Sequence, residues 1–273
     1  MSSYGTWIGR QTTATEAITD RLVSQFRSTF GTMLAPAAVP PGLHWCLMPD
    51  LAAPDQIGRD GTPRQGLFVP ALPLPRRMWA GGEMTFARAL QPGDEVRRVA
   101  TITDIADKTG ASGPLIFVTQ TSVWSVGDAT AIAERRDFVY REDPKPGAGV
   151  TPGPAADWPE GPVWQVTPDP VLLFRYSAMT FNGHRIHYDA PYATGVEGYD
   201  GLVVHGPLQA IWALNLATTV LGGLPGRFRY RGVFPLICGQ AVRVEARKTG
   251  DGLALRVRNA AGVVTMQAMA SAA

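Results

Sequence analysis

The chain has 273 residues, 45% of them hydrophobic, with 25 Lys and Arg against 23 Asp and Glu. That length fits two modest domains or one large one, and the composition is that of an ordinary globular protein. A formal net charge of +2 is too small a surplus to draw the chain to nucleic acid or to an anionic membrane, so neither is expected as a partner.

The N-terminal Met-Ser-Ser-Tyr-Gly-Thr-Trp lacks the basic region and apolar core of a secretory signal. Cys46 and Cys238 are far apart and match no metal-ligand spacing. A disulfide framework is therefore not expected, and a reducing, cytoplasmic setting is. Thr13-Ala14-Thr15-Glu16 reads as a capping box, followed by Ile18, Leu22, Phe26 and Phe30 on one apolar stripe. This predicts an amphipathic helix lying on a sheet. Prolines recur from Pro36 to Pro75 and predict an ordered, irregular wrapping loop. From Glu83 to Arg141, β-branched runs are cut by turns at Pro92-Gly93-Asp94, Lys108-Thr109-Gly110 and Gly127-Asp128, the pattern of an antiparallel meander of three or four strands. Asp143 to Pro159 is rich in Pro, Gly and Ala and has the composition of a linker. The organisation expected is a first unit over 1–142, a linker over 143–160 and a second unit over 161–273.

A second meander runs from Arg227 to the end and echoes the first. Gly93-Asp94-Glu95-Val96-Arg97 corresponds to Gly239-Gln240-Ala241-Val242-Arg243, and Lys108-Thr109-Gly110 to Lys248-Thr249-Gly250, which an internal duplication explains. Between linker and meander lies an uncharged run from Gly201 to Gly226. Pro207 and Gly222-Gly223 confine its helical part to about Pro207–Leu221, shorter than the ~20 residues of a membrane span. Such a helix has almost no polar face, so it must be enclosed on most sides.

Three of the four histidines gather just before this helix, in Thr180-Phe181-Asn182-Gly183-His184-Arg185-Ile186-His187-Tyr188-Asp189 and Val203-Val204-His205-Gly206-Pro207-Leu208. These two stretches resemble the MaoC-type, R-specific enoyl-thioester hydratases of the hotdog fold, and within them the branch that hydrates mesaconyl-C4-CoA. The likeness extends to Pro75–Gly82 and Ser112–Val118. It implies an α+β double hotdog, two fused antiparallel sheets each wrapped around a helix, with a degenerate first unit shaping the acyl tunnel. It also implies reversible hydration of a trans-2-enoyl-CoA to a 3-hydroxyacyl-CoA, with CoA present only as part of the substrate, no cofactor and no metal, and a homodimer as the assembly.

Laid on the hydratase motif, His187 takes the place of the catalytic histidine and Asn182 that of the catalytic aspartate. An amide cannot act as a base, so Asn182 is expected to hold the water while His187 moves the proton. Gly206 at the helix N-terminus is the expected oxyanion donor. Arg185, His184, Tyr188 and His205 are the candidate substrate-binding residues, Arg185 for a distal carboxylate or a CoA phosphate. Arg227, Arg229 and Arg231 alternate along a strand and read as a solvated face or a phosphate contact. His184, His187, Asp189 and His205 match no common zinc signature. The competing readings are a hotdog thioesterase, which usually needs a carboxylate at the thioester, and a non-catalytic acyl-thioester-binding subunit.

Overall fold

Gln11–Ala17 alternate between exposed and half-buried positions and pair antiparallel with residues 95–101, forming strand β1. This corrects the helix start read from Thr13–Glu16, because the threonines at 12, 13 and 15 suit a pleated strand better than a first helical turn. The helix begins later: α1 spans Asp20–Phe30, with the Thr19 hydroxyl accepting from the Leu22 N–H at 3.2 Å. Of the expected stripe, Ile18, which precedes the helix, Phe26 and Phe30 are buried, whereas Leu22 is half-buried and Val23 takes the buried position beside it. This computed structural model describes residues 4–110, 113–143, 152–159, 161–250 and 252–272. Ser112 of the likeness noted above and linker residues 144–151 and 160 lie outside them.

The remaining strands are β2 (Arg76–Phe86), β3 (Glu95–Gly110), β4 (Gly113–Val126), β5 (Ala129–Arg141), β6 (Val163–Val166), β7 (Arg227–Gly232), β8 (Val242–Thr249), β9 (Gly252–Arg258) and β10 (Val264–Ser271). They join β1 in one antiparallel sheet of order β1-β3-β4-β5-β2-β7-β10-β9-β8-β6. The order is a palindrome in topology: each strand of the first half has a counterpart in the second, and the echoing sequences open β3 and β8. Two hotdog sheets thus meet edge to edge at β2 and β7. Gly81 and Gly82 make that seam possible, since a Cβ on Gly81 would stand 2.5 Å from the Tyr230 carbonyl oxygen, and one on Gly82 2.4 Å from that of Arg135.

Helix α4 (Gly206–Leu221) is buried without interruption from Leu208 to Thr218 and packs on β8, β9 and β10. Gly222 closes it in a left-handed conformation at φ 73°. The first half is filled differently. Its helix α1 packs against α2 (Pro170–Met179), whereas the segment against its sheet is the proline-rich loop, buried from Val39 to Met48 and shaped by a 3-10 turn at Leu43–Cys46. There His44 meets the Trp124 ring edge-on at 5.1 Å. Asn215 of α4 ties this loop down: its amide donates to the Pro41 and Ile211 carbonyls, both at 2.9 Å, and its oxygen accepts from Ala35 N–H at 3.1 Å. Described linker residues are also held, because Arg256 donates to Ala156 O and Arg258 to Asp157, fixing them against the second half.

Candidate active site

The loop after α2 turns sharply. Phe181 sits at φ 48°, the Asn182 side-chain oxygen accepts from the His184 N–H at 3.1 Å, and a 3-10 turn follows at Arg185–His187. A loop of the first half clamps this turn from outside. Arg185 N–H donates to Asp60 O at 2.8 Å, and a Cβ on Gly61 would lie 2.0 Å from the Gly183 carbonyl oxygen. Glycine is therefore required on both sides of this crossing, since a Cβ on Gly183 would lie 2.5 Å from Gly61 O.

His187 is buried, and its Nδ1 lies 2.6 Å from the Val203 carbonyl oxygen. A carbonyl can only accept, so Nδ1 carries the proton and Nε2 is left with a free lone pair. The ring is stacked on His205 at 3.5 Å and 19°, and His184 meets it edge-on at 5.3 Å. Burial, reinforced by the neighbouring His184, lowers the His187 pKa to about 3. The His184 pKa is likewise lowered to about 3 by burial and by Arg77 and Arg76, and that of His205 well below its ordinary value by burial and His187. All three rings are neutral at pH 7.

His187, Asn182, Gly206, His184 and Tyr188 line one cavity of about 1750 Å³ that runs between the two halves. Gly206 is the first residue of α4, so its N–H has no partner within the helix and carries the positive end of the helix dipole. Because His187 stacks on the residue immediately before Gly206, imidazole and amide share one end of that cavity.

Two expected ligands of the substrate do not face it. The Arg185 guanidinium donates twice to Asp189 Oδ2 and once to Arg59 O, and covers the Tyr192 ring at 4.1 Å. It fastens the loop and is absent from the cavity wall. His205 stands behind His187, with Nε2 bonded to Ser177 Oγ at 2.9 Å. Tyr188 reaches the cavity while its hydroxyl donates to Gly183 O at 3.0 Å. Asp189 caps α3 (Ala190–Gly195) through Tyr192 N–H. Held below the usual carboxylate range by Arg185, it supplies no base to the site. Arg227 pairs with Glu83, leaving Arg231 as the member of the arginine ridge that lines the cavity. Among the described residues no cluster of His, Cys, Asp and Glu could hold a metal ion.

Sequence reasoning missed four contributors. The Val203 carbonyl sets the His187 tautomer, and Ser177 holds His205. Asp60 comes within 3.9 Å of His184 Nε2 while bonding Thr62. Gln209, one turn into α4, lines the cavity with its oxygen accepting from Thr265 Oγ1 at 2.7 Å, which turns its amide NH2 free. Of these, Gln209 had a visible signal: a polar side chain in the first turn of a mostly apolar helix.

A neutral imidazole, a glycine-led helix N-terminus and a deep cavity between two hotdog halves are the parts a hydro-lyase acting on acyl thioesters requires. The comparisons with known proteins agree. Residues 42–238 match the family model of hydroxyacyl-thioester dehydratase type 2. The chain is 38% identical to mesaconyl-C4-CoA hydratase of Chloroflexus aurantiacus over 96% of its own length and 95% of that protein's. HtdX of Mycobacterium tuberculosis superimposes with a TM-score of 0.69 at 19% identity, covering 97% of this chain and all of that one. A double-hotdog protein of the same organism gives 0.56 at 16% identity, covering 97% of this chain and 96% of that one. The chain belongs to the MaoC-like hydroxyacyl-thioester dehydratase family and is an enoyl-thioester hydratase.

Proposed function

We propose that the substrate is mesaconyl-C4-CoA and the product citramalyl-CoA. The relative in Chloroflexus aurantiacus carries that activity in its name. In the reaction, Nε2 of His187 takes a proton from water as the water oxygen bonds to the β-carbon. Charge moves to the thioester oxygen, which accepts from the Gly206 N–H at the α4 dipole. His187 then returns the proton to the α-carbon, so water is added across the double bond and no other reactant is consumed. Asn182 holds the water from its amide NH2, because its oxygen is already committed to His184 N–H. The observation that supports this reading is the Nδ1–Val203 bond, which leaves Nε2 unprotonated on a histidine that lines the same cavity as Gly206.

The first half shapes the acyl tunnel and the second carries the chemistry. We place the enzyme in the cytoplasm as a homodimer with no cofactor beyond its substrate's CoA. The unpaired thiols of Cys46 and Cys238 suit that compartment, and among the described residues no helix is long and apolar enough to cross a membrane. The test is a turnover panel of branched, dicarboxylic and straight-chain enoyl-CoAs. Loss of the conjugated absorbance with the thioester intact is expected. Release of free thiol would make the protein a thioesterase, and neither signal would make it a binder.

A further inference from the structure

Strand β5 breaks its own pattern. Ile132, Glu134, Arg136 and Phe138 share the inner face of the first half, where alternation ordinarily places apolar residues. Glu134 is fully enclosed and saturated: it accepts from Trp45 Nε1 at 2.7 Å, Trp124 Nε1 at 3.1 Å and Arg136 Nε at 2.6 Å. That leaves Arg136 with its Nε occupied and its two terminal nitrogens without a protein acceptor among the described residues, although its side chain is only 13% exposed. On the wall of the same cavity stands Arg98 of β3, 10% exposed. Among the described residues its one ion-pair partner is Asp50, 3.4 Å away and itself 71% exposed, and its Nε is buried without a partner. Of the carboxylates that pair with these two buried guanidiniums, only Glu134, bonded to Arg136, is buried, and Asp50 is mostly in solvent, so the buried charge is in positive excess in a medium that screens it poorly.

Both arginines line the same cavity as His187 and Gly206. One side chain separates Arg136 from the helix N-terminus: its guanidinium lies 5.1 Å over the Trp79 ring, and beyond the helix's own backbone and chain neighbours Trp79 Cβ is the nearest atom to a Cβ built on Gly206, at 3.9 Å. A thioester carbonyl on Gly206 therefore directs a short acyl chain past the indole toward the open fork. A planar guanidinium with free terminal N–H groups matches a carboxylate in a bidentate geometry.

We propose that Arg136, assisted by Arg98, binds a second carboxylate at the far end of the acyl chain and so selects dicarboxylic enoyl thioesters. This rests on the hydratase reading above and assigns to these two residues the anion-binding role expected of Arg185.

The test compares kcat/KM for mesaconyl-C4-CoA with that for 3-methylcrotonyl-CoA, which has the same skeleton with a methyl group in place of the carboxylate. Wild type is expected to prefer the dicarboxylic substrate by at least ~100-fold, because a site built to bond a charged group rejects an analogue lacking it. In Arg136→Met that ratio should fall by ~50-fold or more, mainly through KM, with part of it recovered in Arg136→Lys, which keeps the charge without the fork. If Arg136→Met fails to fold because Glu134 is left uncompensated, the paired Glu134→Gln/Arg136→Met variant restores charge balance and is measured instead. An equal loss on both substrates would overturn the proposal and assign the fork to the CoA phosphates they share or to structure alone. Wild type hydrating both equally well would also overturn it while leaving the hydratase reading intact. Hydration of neither would sink the reading itself.

Discussion

At the scale of single residues, the site depends on a tautomer. The Val203 carbonyl at 2.6 Å keeps the His187 proton on Nδ1, so in the mechanism proposed above the base needs no carboxylate beside it and Asn182 can stand in the aspartate position. Replacing His187 by Ala is expected to lower kcat at least ~100-fold in a folded protein, within the range for acid–base catalysis. An unchanged rate with an unaltered circular dichroism spectrum would remove His187 from the mechanism. Burial lowers the His187 pKa from 6.5 to about 3, so the rate should not inflect near pH 6.5. A pH profile of kcat/KM that loses activity with a midpoint near 6.5 would show instead a solvated, ordinary imidazole. Motif residues such as His187, Asn182 and Gly206 were legible in the sequence because they lie within 25 positions of one another. Arg136 and Asp60 were not: Arg136 reaches the cavity from a strand of the other half, where nothing local marks an inward-facing charge, and Asp60 approaches His184 from a turn of that half.

At the scale of elements, two contacts decide whether the halves fit. Asn215 is fully buried and makes three hydrogen bonds, two of them between α4 and the proline-rich loop and one within α4. Asn215→Leu would leave Ala35 N–H and Pro41 O unpaired in the interior, and is expected to cost about 2–4 kcal/mol, read from the urea midpoint at unchanged slope. Gly82→Ala places a methyl 2.4 Å from Arg135 O and 2.7 Å from the Tyr230 hydroxyl. The strand must shift at the seam, at about 1–3 kcal/mol by the same measurement. Helix α4 and both meanders could be read from periodicity and turn residues, and α4 begins within one residue of its expected start. The opening of α1 could not, because Thr-x-x-Glu serves a cap and a threonine-rich strand equally well. Only pairing with β3 settles which. The first half's missing long central helix was equally invisible, for a proline-rich sequence says that structure is irregular without saying what it fills.

For the whole molecule, the four histidines make acid the weak flank. Burial lowers the pKa of His44 to about 4 and of His184 and His187 to about 3, and drives that of His205 well below its ordinary value. In the unfolded chain each takes up a proton below about pH 6.5, whereas the folded state refuses it until those lower values. Stability is therefore expected to be level above pH 7 and to fall as the pH drops from 6.5 toward 4, by up to about 1.4 kcal/mol per histidine per pH unit. Glu134, held below its usual range by Arg136 and His44, adds to the loss only below about 4.5. Urea midpoints across pH 7.5 to 4.5 check the sign, and a protein equally stable at both ends would show that these rings are hydrated. The ten-stranded sheet and its duplication were foreshadowed by the paired turn motifs, but the seam partners β2 and β7 were not, being about 150 residues apart with no shared pattern.

The crossing of Gly61 over Gly183 confines how such a protein can diverge. With two main chains in direct contact beneath the reacting groups, neither position can accept any side chain, and a change in one cannot be rescued by a change in the other. Room for a differently shaped substrate must therefore come from the side chains that line the rest of the cavity.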